Sequence, residues 1–481
     1  RAKTPLSFTG VSIATADGPQ VRAIDGSVNF TADYTPQGWQ AEVTTLTLAS
    51  GGTTLFSLNG KAGQLAGKDQ LLKATGRWTA NLAALLLQPA AAGKAGLVQG
   101  EASGDFTAAI GARQEIRATL ALQRLAADPK LTKESLPTIA IALRADTDAA
   151  GKINFNAPVL FERNGQKSDL ALVGSAMSGP KSTVLDVRVT STLLVLEDVQ
   201  ILGALAPGEP PAETPAPPKS KPDEKPFWSG FSGQFALALK KVIYAGKFEI
   251  NDVGGTVVLE EGALKFDGVK AGFNGDSTLK FNGGVTFAPQ VRDPYALKAE
   301  FALANFDSAP LFRALDPSRL PAVEGRFNVI SHLAGNGGNA AQLMQRTRGD
   351  FELSSKTGLF RGLSADMAES LKQAPSMLSA AVGSVGALLG LKKEKIDDAN
   401  EYLDKQGKVV VEIADRLKEI AYDQINVVAA RDEALNIRLK EFSLIAPEIR
   451  LRGSGEISYR ESVPLLAQPL ELRIQLGARG R

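Results

Sequence analysis

The sequence predicts a mainly β protein, built as an elongated, twisted antiparallel sheet that forms a groove or an open sandwich, with a small helical insert. Short runs of alternating apolar and polar residues recur along the chain and are separated by clusters of Gly, Asn, Asp and Pro. The composition agrees, because 47 glycines supply many turn positions. Most connections between the runs are short, whereas parallel strands need long crossovers, so the sheet is expected to be antiparallel.

The chain divides at a proline-rich segment. Residues 207–226, PGEPPAETPAPPKSKPDEKP, contain eight prolines and no large apolar side chain, which is typical of a polyproline-like linker or an exposed loop. Strand-like runs such as WQAEVTTLTLAS and STVLDVRVTSTLLVL precede it. We therefore expect an N-terminal β-rich region at 1–202, a linker or loop at 203–226 and a C-terminal β region at 227–481.

The stretch GGTVVLEEGALKFDGVKAGFNGDSTLKFNGGVTF, residues 254–287, is predicted to form three strands. Turns are expected at Glu-Gly, residues 261–262, and at Asn-Gly, residues 274–275. Between them, the parity of the apolar positions changes at Asp267 and Gly268. One inserted residue explains this change, because a β-bulge with glycine at the unusual backbone angle restores the alternation. All large apolar side chains of the stretch would then lie on one face.

This apolar face is the candidate site, because an apolar sheet face of this length must be covered by another sheet, by helices or by a ligand. The same alternation continues in YALKAEFAL, where Lys298 and Glu300 take the opposite, polar face. The expected lining of the site consists of Val257, Leu259, Leu264, Phe266, Phe273, Leu279, Phe281, Val285, Phe287, Leu297 and Phe301.

Few side chains are available for catalysis or metal binding. The chain has no cysteine and a single histidine, His332, which excludes thiolate sites and any site built from two histidines. His332 is expected to have a structural or surface role. We therefore predict no enzymatic activity, no catalytic residue, no cofactor and no metal site. The formal charge is +2 and the charges are scattered, so nucleic acid is not an expected partner.

One apparent motif has a structural interpretation. The segment GNGGNA, residues 335–340, matches the G-x-G-x-x-A pattern of nucleotide-binding loops. The helix predicted after it has only about two turns, which is too short for a nucleotide-binding βαβ unit. We interpret the segment as a turn and a helix cap.

The helical insert is predicted at about 363–424. Its second part places Val409, Ile413, Leu417 and Ile420 on one helical face. Its uncharged part, residues 374–391, contains many Gly, Ser and Ala residues, which favours a packed or interfacial helix over a membrane-spanning one.

Four segments of the second half occur in a recognisable order: FSGQFALALKKVIYAGKFEINDVGGTVVLEEGALKFDGVKAGFNGDSTLKFNGGV, then YALKAEFALANFDSAPLFRAL, then VEGRFNVISHLAGNGGNAAQLMQRTRGDFELSSKTGLFRGL, then LNIRLKEFSLIAPEIRLRGSGEISY. With these segments the chain resembles the C-terminal region of the AsmA family, which has TamB-like relatives. The resemblance covers residues 227–477, about half of the chain, and involves no catalytic residue. The long helical insert and the proline-rich linker depart from the family pattern.

The resemblance implies a periplasmic protein of Gram-negative envelopes, anchored in the inner membrane by a segment outside this sequence. Members of the family are regarded as β-grooves that carry phospholipid toward the outer membrane, and some are linked to outer-membrane protein assembly. We therefore expect the apolar face to bind phospholipid acyl chains. The alternative is a scaffold or assembly factor for outer-membrane proteins, which would bind client strands and assembly components at its sheet edges.

Overall fold

The computed structural model describes residues 2–15, 18–65, 71–91, 96–129, 134–148, 150–180, 182–204, 222–315, 323–361, 419–460 and 470–478. The chain divides into two compact units. Unit 1 comprises Arg1–Glu213 and Gly230–Tyr244, and unit 2 comprises Thr214–Ser229 and Ala245–Arg481. The residues that follow the proline-rich segment are therefore shared between the two units.

Unit 1 contains thirteen strands and two short helices in its described residues. They are β1 (Ala2–Thr15), β2 (Gly18–Thr35), β3 (Gly38–Ser50), β4 (Thr53–Leu65), β5 (Leu72–Asn81), α1 (Leu82–Leu86), β6 (Leu97–Ile110), β7 (Gln114–Ala127), β8 (Thr138–Thr147), β9 (Ile153–Arg163), β10 (Gln166–Ser178), β11 (Thr183–Ser191), β12 (Leu194–Val195), α2 (Leu196–Ala204) and β13 (Phe231–Tyr244).

Strands β1 to β11 form an antiparallel meander in which each strand pairs with the next. β13 is the exception, because it pairs in parallel with β11 and β12. The expected antiparallel sheet is thus confirmed in unit 1 apart from this one pairing. The chain between β12 and β13, which includes α2, supplies the long crossover that a parallel pair needs.

The core of unit 1 lies toward one end of its strands. Ile24, Leu55, Ala102, Ile139 and Phe161 are all buried, and the register brings them to the same end of the sheet. Large apolar side chains such as Tyr34, Ile116 and Met177 are exposed at the opposite end, and Leu160 is exposed beside the core, on the other face of the sheet from Phe161. Burial in this unit is therefore uneven along the strands.

A buried ion pair fixes the α2 end of unit 1. The Asp198 carboxylate, only 1% exposed, accepts hydrogen bonds from Arg163 Nε at 2.7 Å and from Ser168 Oγ at 3.0 Å. Arg163 also contacts Glu134 at 3.0 Å. Because a buried carboxylate must be paired to be tolerated, these contacts tie α2 to β9 and β10.

Unit 2 contains eleven strands and two short helices in its described residues. They are β14 (Phe248–Glu260), β15 (Ala263–Gly272), β16 (Thr278–Phe287), β17 (Tyr295–Asp307), α3 (Ala309–Leu315), β18 (Val323–Gly337), α4 (Ala340–Gln345), β19 (Arg348–Phe360), β20 (Ile420–Tyr422), β21 (Gln424–Arg431), β22 (Ile437–Ile445), β23 (Ile449–Ile457) and β24 (Leu470–Ala478).

The described strands of unit 2 form an antiparallel sheet. Strands β14 to β19 pair in chain order. β19 then pairs with both β20 and β21, and β21 to β24 continue in order. A chain in which consecutive strands are neighbours needs only short turns, so the short Gly-rich connections read from the sequence agree with the ladder.

Most of the predicted helical insert, including Val409, Ile413 and Leu417, lies outside the described residues. The prediction is wrong at Ile420, which lies in strand β20 instead of on a helical face. Ile420 pairs with Phe360 of β19, and both Ile420 and Tyr422 are buried while Ala421 between them is exposed. Cross-strand pairing with period two therefore outweighs the local helical spacing at this position.

Strands make up 72% of the described residues, which confirms the mainly β prediction. The helices are short. In the described part of the chain, no helix has both the length and the apolar character needed to cross a membrane.

Candidate functional site

The predicted β-bulge in β15 is confirmed. The register between β15 and β16 shifts between Phe266 and Val269, and Gly268 has a φ of 57°. The Gly268 backbone N–H donates to the side-chain oxygen of Asn282 at 2.9 Å. The predicted turns at 261–262 and 274–275 are also present. The bulge keeps the apolar residues before and after it on the same face.

The register brings the predicted site residues into rows that cross the strands of unit 2. Leu259, Leu264, Val285 and Leu297 lie side by side on β14 to β17 and form the first row. On one side of the first row, pairings on the same face join Val257 to Phe266, Phe281 to Phe301, and Leu279 to both Ala271 and Leu303. On the other side of the row, Phe287 pairs with Tyr295.

The apolar face extends beyond the predicted residues onto β18 to β23. Leu303 faces Val329, which faces Leu353 on β19. The row continues through Val427 and Phe442. Alternation in NVISHLAG, DFELSS and QINVVAAR carried the signal for this extension. We define the apolar face of unit 2 as these rows together with the predicted residues.

One end of the apolar face is covered by three residues from separate parts of unit 2, which we call the end wall: Trp228, Tyr295 and Leu343. Their exposed fractions are 4%, 0% and 4%. They pack with Val285, and the first-row residues Leu259, Leu264 and Leu297, together with Phe287, pack against this cluster. Of the predicted site residues, Val285 is thus buried, and Leu259, Leu264, Leu297 and Phe287 are partly buried against this cluster.

Hydrogen bonds and ring contacts hold the end wall in place. The Tyr295 hydroxyl donates to the Asp223 carboxylate at 2.8 Å and accepts from the Phe227 backbone N–H at 3.1 Å. Burial, together with this bond to Asp223, raises the pKa of Tyr295 to about 12. Trp228 Nε1 donates to the Glu260 carbonyl at 2.9 Å. Each polar atom of the two aromatic rings therefore has a partner, as buried Tyr and Trp require.

Glycines on β18 let α4 approach the apolar face. Leu297 pairs with Gly335, and Tyr295 pairs with Gly337. A Cβ atom on Gly337 would stand 2.3 Å from the backbone nitrogen of Leu343. Asn339 caps α4, because its side-chain oxygen accepts from the Gln342 backbone N–H at 2.9 Å. The helix cap predicted in GNGGNA is confirmed at Asn339, whereas the predicted turn is wrong for residues 335–337, which lie in strand β18.

Three phenylalanines close the face toward the opposite end of β14 to β17. Phe273 packs with Phe248 and Phe306, at ring-centroid separations of 5.7 Å and 5.3 Å. Phe248 is 3% exposed. Of the predicted site residues, Phe273 therefore belongs to an internal aromatic cluster, which sequence reasoning missed because Phe248 and Phe306 come from other strands.

A hydroxyl cluster completes the same end of the sheet on β19 and β20. The Tyr422 hydroxyl contacts Ser355 Oγ and the Glu324 carbonyl, each at 3.0 Å. Tyr422 packs in a buried cluster with Ile425 and Leu444. Burial raises the pKa of Tyr422.

The centre of the apolar face keeps partial exposure. Val257, Phe266, Leu279, Phe281 and Phe301 are neither fully buried nor fully exposed. Phe266 and Phe281 contact each other edge to face, with ring centroids 5.5 Å apart. These five predicted residues lie between the end wall and the phenylalanine cluster. Together with the first-row leucines, which are also partly exposed, they form the part of the candidate site that a ligand can reach.

The opposite face of the same strands is polar. Lys265, Lys270, Lys280 and Lys298 are exposed there. His332 also lies on this face, with 60% of its side chain exposed, and its Nδ1 is 3.0 Å from the Asp350 carboxylate. Asp350 raises the pKa of His332, and His332 lowers the pKa of Asp350.

The described residues hold no group of three acidic or histidine side chains that is arranged to bind a metal ion. In unit 1, a cleft of about 510 Å³ is lined by Asp33, Glu42, Lys61 and Lys73, among others. Two acids and two lysines line it, so their formal charges cancel. The site with the most uniform chemistry is therefore the apolar face of unit 2.

Comparison of the chain with protein-family models and with curated proteins finds no match. The likeness to the AsmA family therefore remains an expectation from the sequence.

Proposed function

We propose that the protein binds phospholipid acyl chains along the apolar face of unit 2 and transfers them between the inner and outer membranes of a bacterial envelope. The observation that carries this proposal is the partly exposed centre of the face, where Val257, Phe266, Leu279, Phe281 and Phe301 share one side of the sheet. Large apolar side chains that remain partly in water favour a ligand that covers them.

Acyl chains fit this surface energetically. Each buried methylene contributes about 0.8 kcal/mol, so a sixteen-carbon chain gains roughly 12 kcal/mol on leaving water. A chain held this strongly leaves for water slowly. Rows of similar side chains let it move from one position to the next without full exposure, so transfer along the face needs no catalytic group.

The polar face supports the same assignment. Lys280 and Asn282 flank Phe281 on β16 and point to the opposite side of the sheet, where both are exposed. A lipid headgroup would stay in water beside the sheet while its chain lies on the apolar face. The periplasmic location, the inner-membrane anchor outside this sequence and a link to outer-membrane assembly components belong to the proposal through the AsmA-like segments alone.

The test places a photo-crosslinking amino acid at Phe281 in the full chain, in cells and with phospholipid vesicles. Lys280 and Asn282 serve as matched controls, because they neighbour Phe281 in sequence and lie on the other face. We expect phospholipid adducts at Phe281 and few at the two controls. Equal labelling at the three positions would refute the proposal. Phe287 is a poorer probe, because its ring lies 4.9 Å from that of Tyr295 in the end wall.

A scaffold function is the second candidate, and strand β1 favours it. Among the described residues, β1 pairs with β2 alone. Leu6, Phe8 and Ile13 on β1 are 53%, 45% and 53% exposed. A client β-strand would add to this strand through backbone hydrogen bonds. Delipidated protein that binds unfolded segments of outer-membrane proteins, and that yields no lipid adduct at Phe281, would favour the scaffold.

A further inference from the structure

Trp228 stands where the apolar face of unit 2 stops. Its indole packs with Val285, Tyr295 and Leu343, and the first-row residues Leu259 and Leu297 lie against this cluster. These first-row leucines and the next apolar residues along the same strands are partly exposed. An alkyl chain that lies along the strands from the centre toward this end therefore meets the indole ring.

The indole is fixed on several sides. Its nitrogen donates to the Glu260 carbonyl at 2.9 Å. Its ring meets Phe227 and Tyr295 edge to face, at centroid separations of 4.8 Å and 6.1 Å. A ring with this many contacts does not rotate freely to let a chain pass. The position of the barrier is therefore set by the fold.

Leu343 supplies the second part of the barrier from a different element. It lies on α4, is 4% exposed and packs in the same cluster as Trp228. The close approach of α4 to Gly337 leaves no room for a chain beneath the helix. Two elements that are distant in sequence thus block the same end of the face.

We infer that Trp228 and Leu343 determine the length of the alkyl chain that unit 2 accepts. This inference rests on the proposed lipid-binding function. A chain whose end reaches the indole is fully covered, whereas a longer chain must bend away from the face or leave its last carbons in water. The bound ligand class is an unbranched acyl chain of limited length.

The substitution Trp228→Ala removes the indole and leaves space for several carbons of an alkyl chain. A tryptophan buries about 150–250 Å², and one methylene covers about 30 Å², so the vacated surface corresponds to roughly five to eight methylenes. Because alanine and relaxed neighbours fill part of it, we expect the preferred chain to lengthen by about four carbons. Each additional buried methylene changes affinity by about fourfold.

The experiment measures how saturated fatty acids of increasing length displace a fluorescent fatty acid from the full chain. Wild type, Trp228→Ala, Trp228→Leu and Leu343→Ala are compared. Met344→Ala is the matched control, because this neighbour of Leu343 on α4 is 73% exposed. Hydrogen exchange of β16 and β17 identifies variants that keep the sheet. Trp228→Leu retains apolar bulk and replaces Trp228→Ala in the comparison if the alanine variant loses the sheet.

In the Trp228 variants and in Leu343→Ala, we expect the affinity for the longer acids to rise at least tenfold relative to the acid that wild type prefers. Met344→Ala should keep the wild-type profile. An unchanged profile in folded Trp228 and Leu343 variants would overturn the inference and leave the proposed function intact. If wild type binds no fatty acid and gives no lipid adduct at Phe281, the proposed function and the inference both fail.

Discussion

Gly268 offers a direct test of how the apolar face is built, through the substitution Gly268→Ala. Gly268 occupies the bulge in β15 with a φ of 57°, and a Cβ atom built on it meets no heavy atom within 4 Å. The cost of an added methyl group is therefore backbone strain alone. For an L-residue in the left-handed region, this strain is about 1–2 kcal/mol.

The matched control is Gly262→Ala in the turn between β14 and β15. Gly262 has no left-handed backbone angle, and its added Cβ makes only an ordinary contact of 3.4 Å with the Phe287 carbonyl. We expect this change to be neutral or to stabilise by about 0.5 kcal/mol, because alanine restricts the unfolded chain. Gly268→Asn should cost less than Gly268→Ala, since asparagine enters the left-handed region more readily.

Hydrogen exchange of the β15 and β16 amides in the full chain measures these effects locally. A loss of 1–2 kcal/mol corresponds to exchange that is about 5 to 30 times faster where local opening controls it. Gly268→Ala should accelerate exchange on both strands, and Gly262→Ala should not. If the two substitutions had equal effects, the glycine at the bulge would not be needed for its backbone angle, and the explanation of the parity change would be refuted.

The remaining predictions concern two ion pairs. The pKa of His332, measured by NMR titration of this single histidine, should lie above 6.5 and fall toward that value in Asp350→Asn. The pKa of His332 is raised and that of Asp350 is lowered, so the pair stabilises the fold at pH values between the two pKa values. This stabilisation is lost as the pH rises through the pKa of His332 or falls through that of Asp350. Asp198→Asn should destabilise unit 1 by about 3 kcal/mol, because it leaves the largely buried Arg163 without its main partner. The control Asp105→Asn, which breaks the exposed ion pair of Asp105 with Arg77, should cost less than about 1 kcal/mol. Equal acceleration of β9 and β10 hydrogen exchange in Asp198→Asn and Asp105→Asn would contradict the difference.

The sequence was sufficient to predict the apolar face because its cause is local. Side chains alternate across a strand with period two, so Leu279, Phe281 and Val285 share a side whatever the strand pairs with. The bulge at Gly268 was predictable for the same reason, since a parity change needs one inserted residue. Pairing in chain order then aligned these strands as short turns require.

The end wall was not predictable, because its parts meet only in three dimensions. Trp228 follows the proline-rich segment, Tyr295 opens β17, and Leu343 lies on a helix of six residues. Nothing in the local spacing of these residues indicates that they cover Leu259 or Leu297. The parallel pairing of β13 with β11 was missed for a similar reason, because a long crossover conceals which strand it returns to.

The distribution of charge between the two faces of the unit 2 sheet fixes which side chains lie on the apolar face. On β16, Lys280 lies on the polar face, and a register slip of one residue would turn it onto the apolar face. Such a slip would bury an unpaired ammonium group, which costs several kcal/mol. The lysines therefore disfavour the slipped register, and the native register keeps the phenylalanines on one face of the sheet. The end wall limits the exposed apolar surface further, because it buries Val285 and packs against the partly exposed first-row leucines. A face that is confined on both ends and protected from slippage suits a transient apolar ligand better than a permanent second sheet, which would have no need of an internal wall.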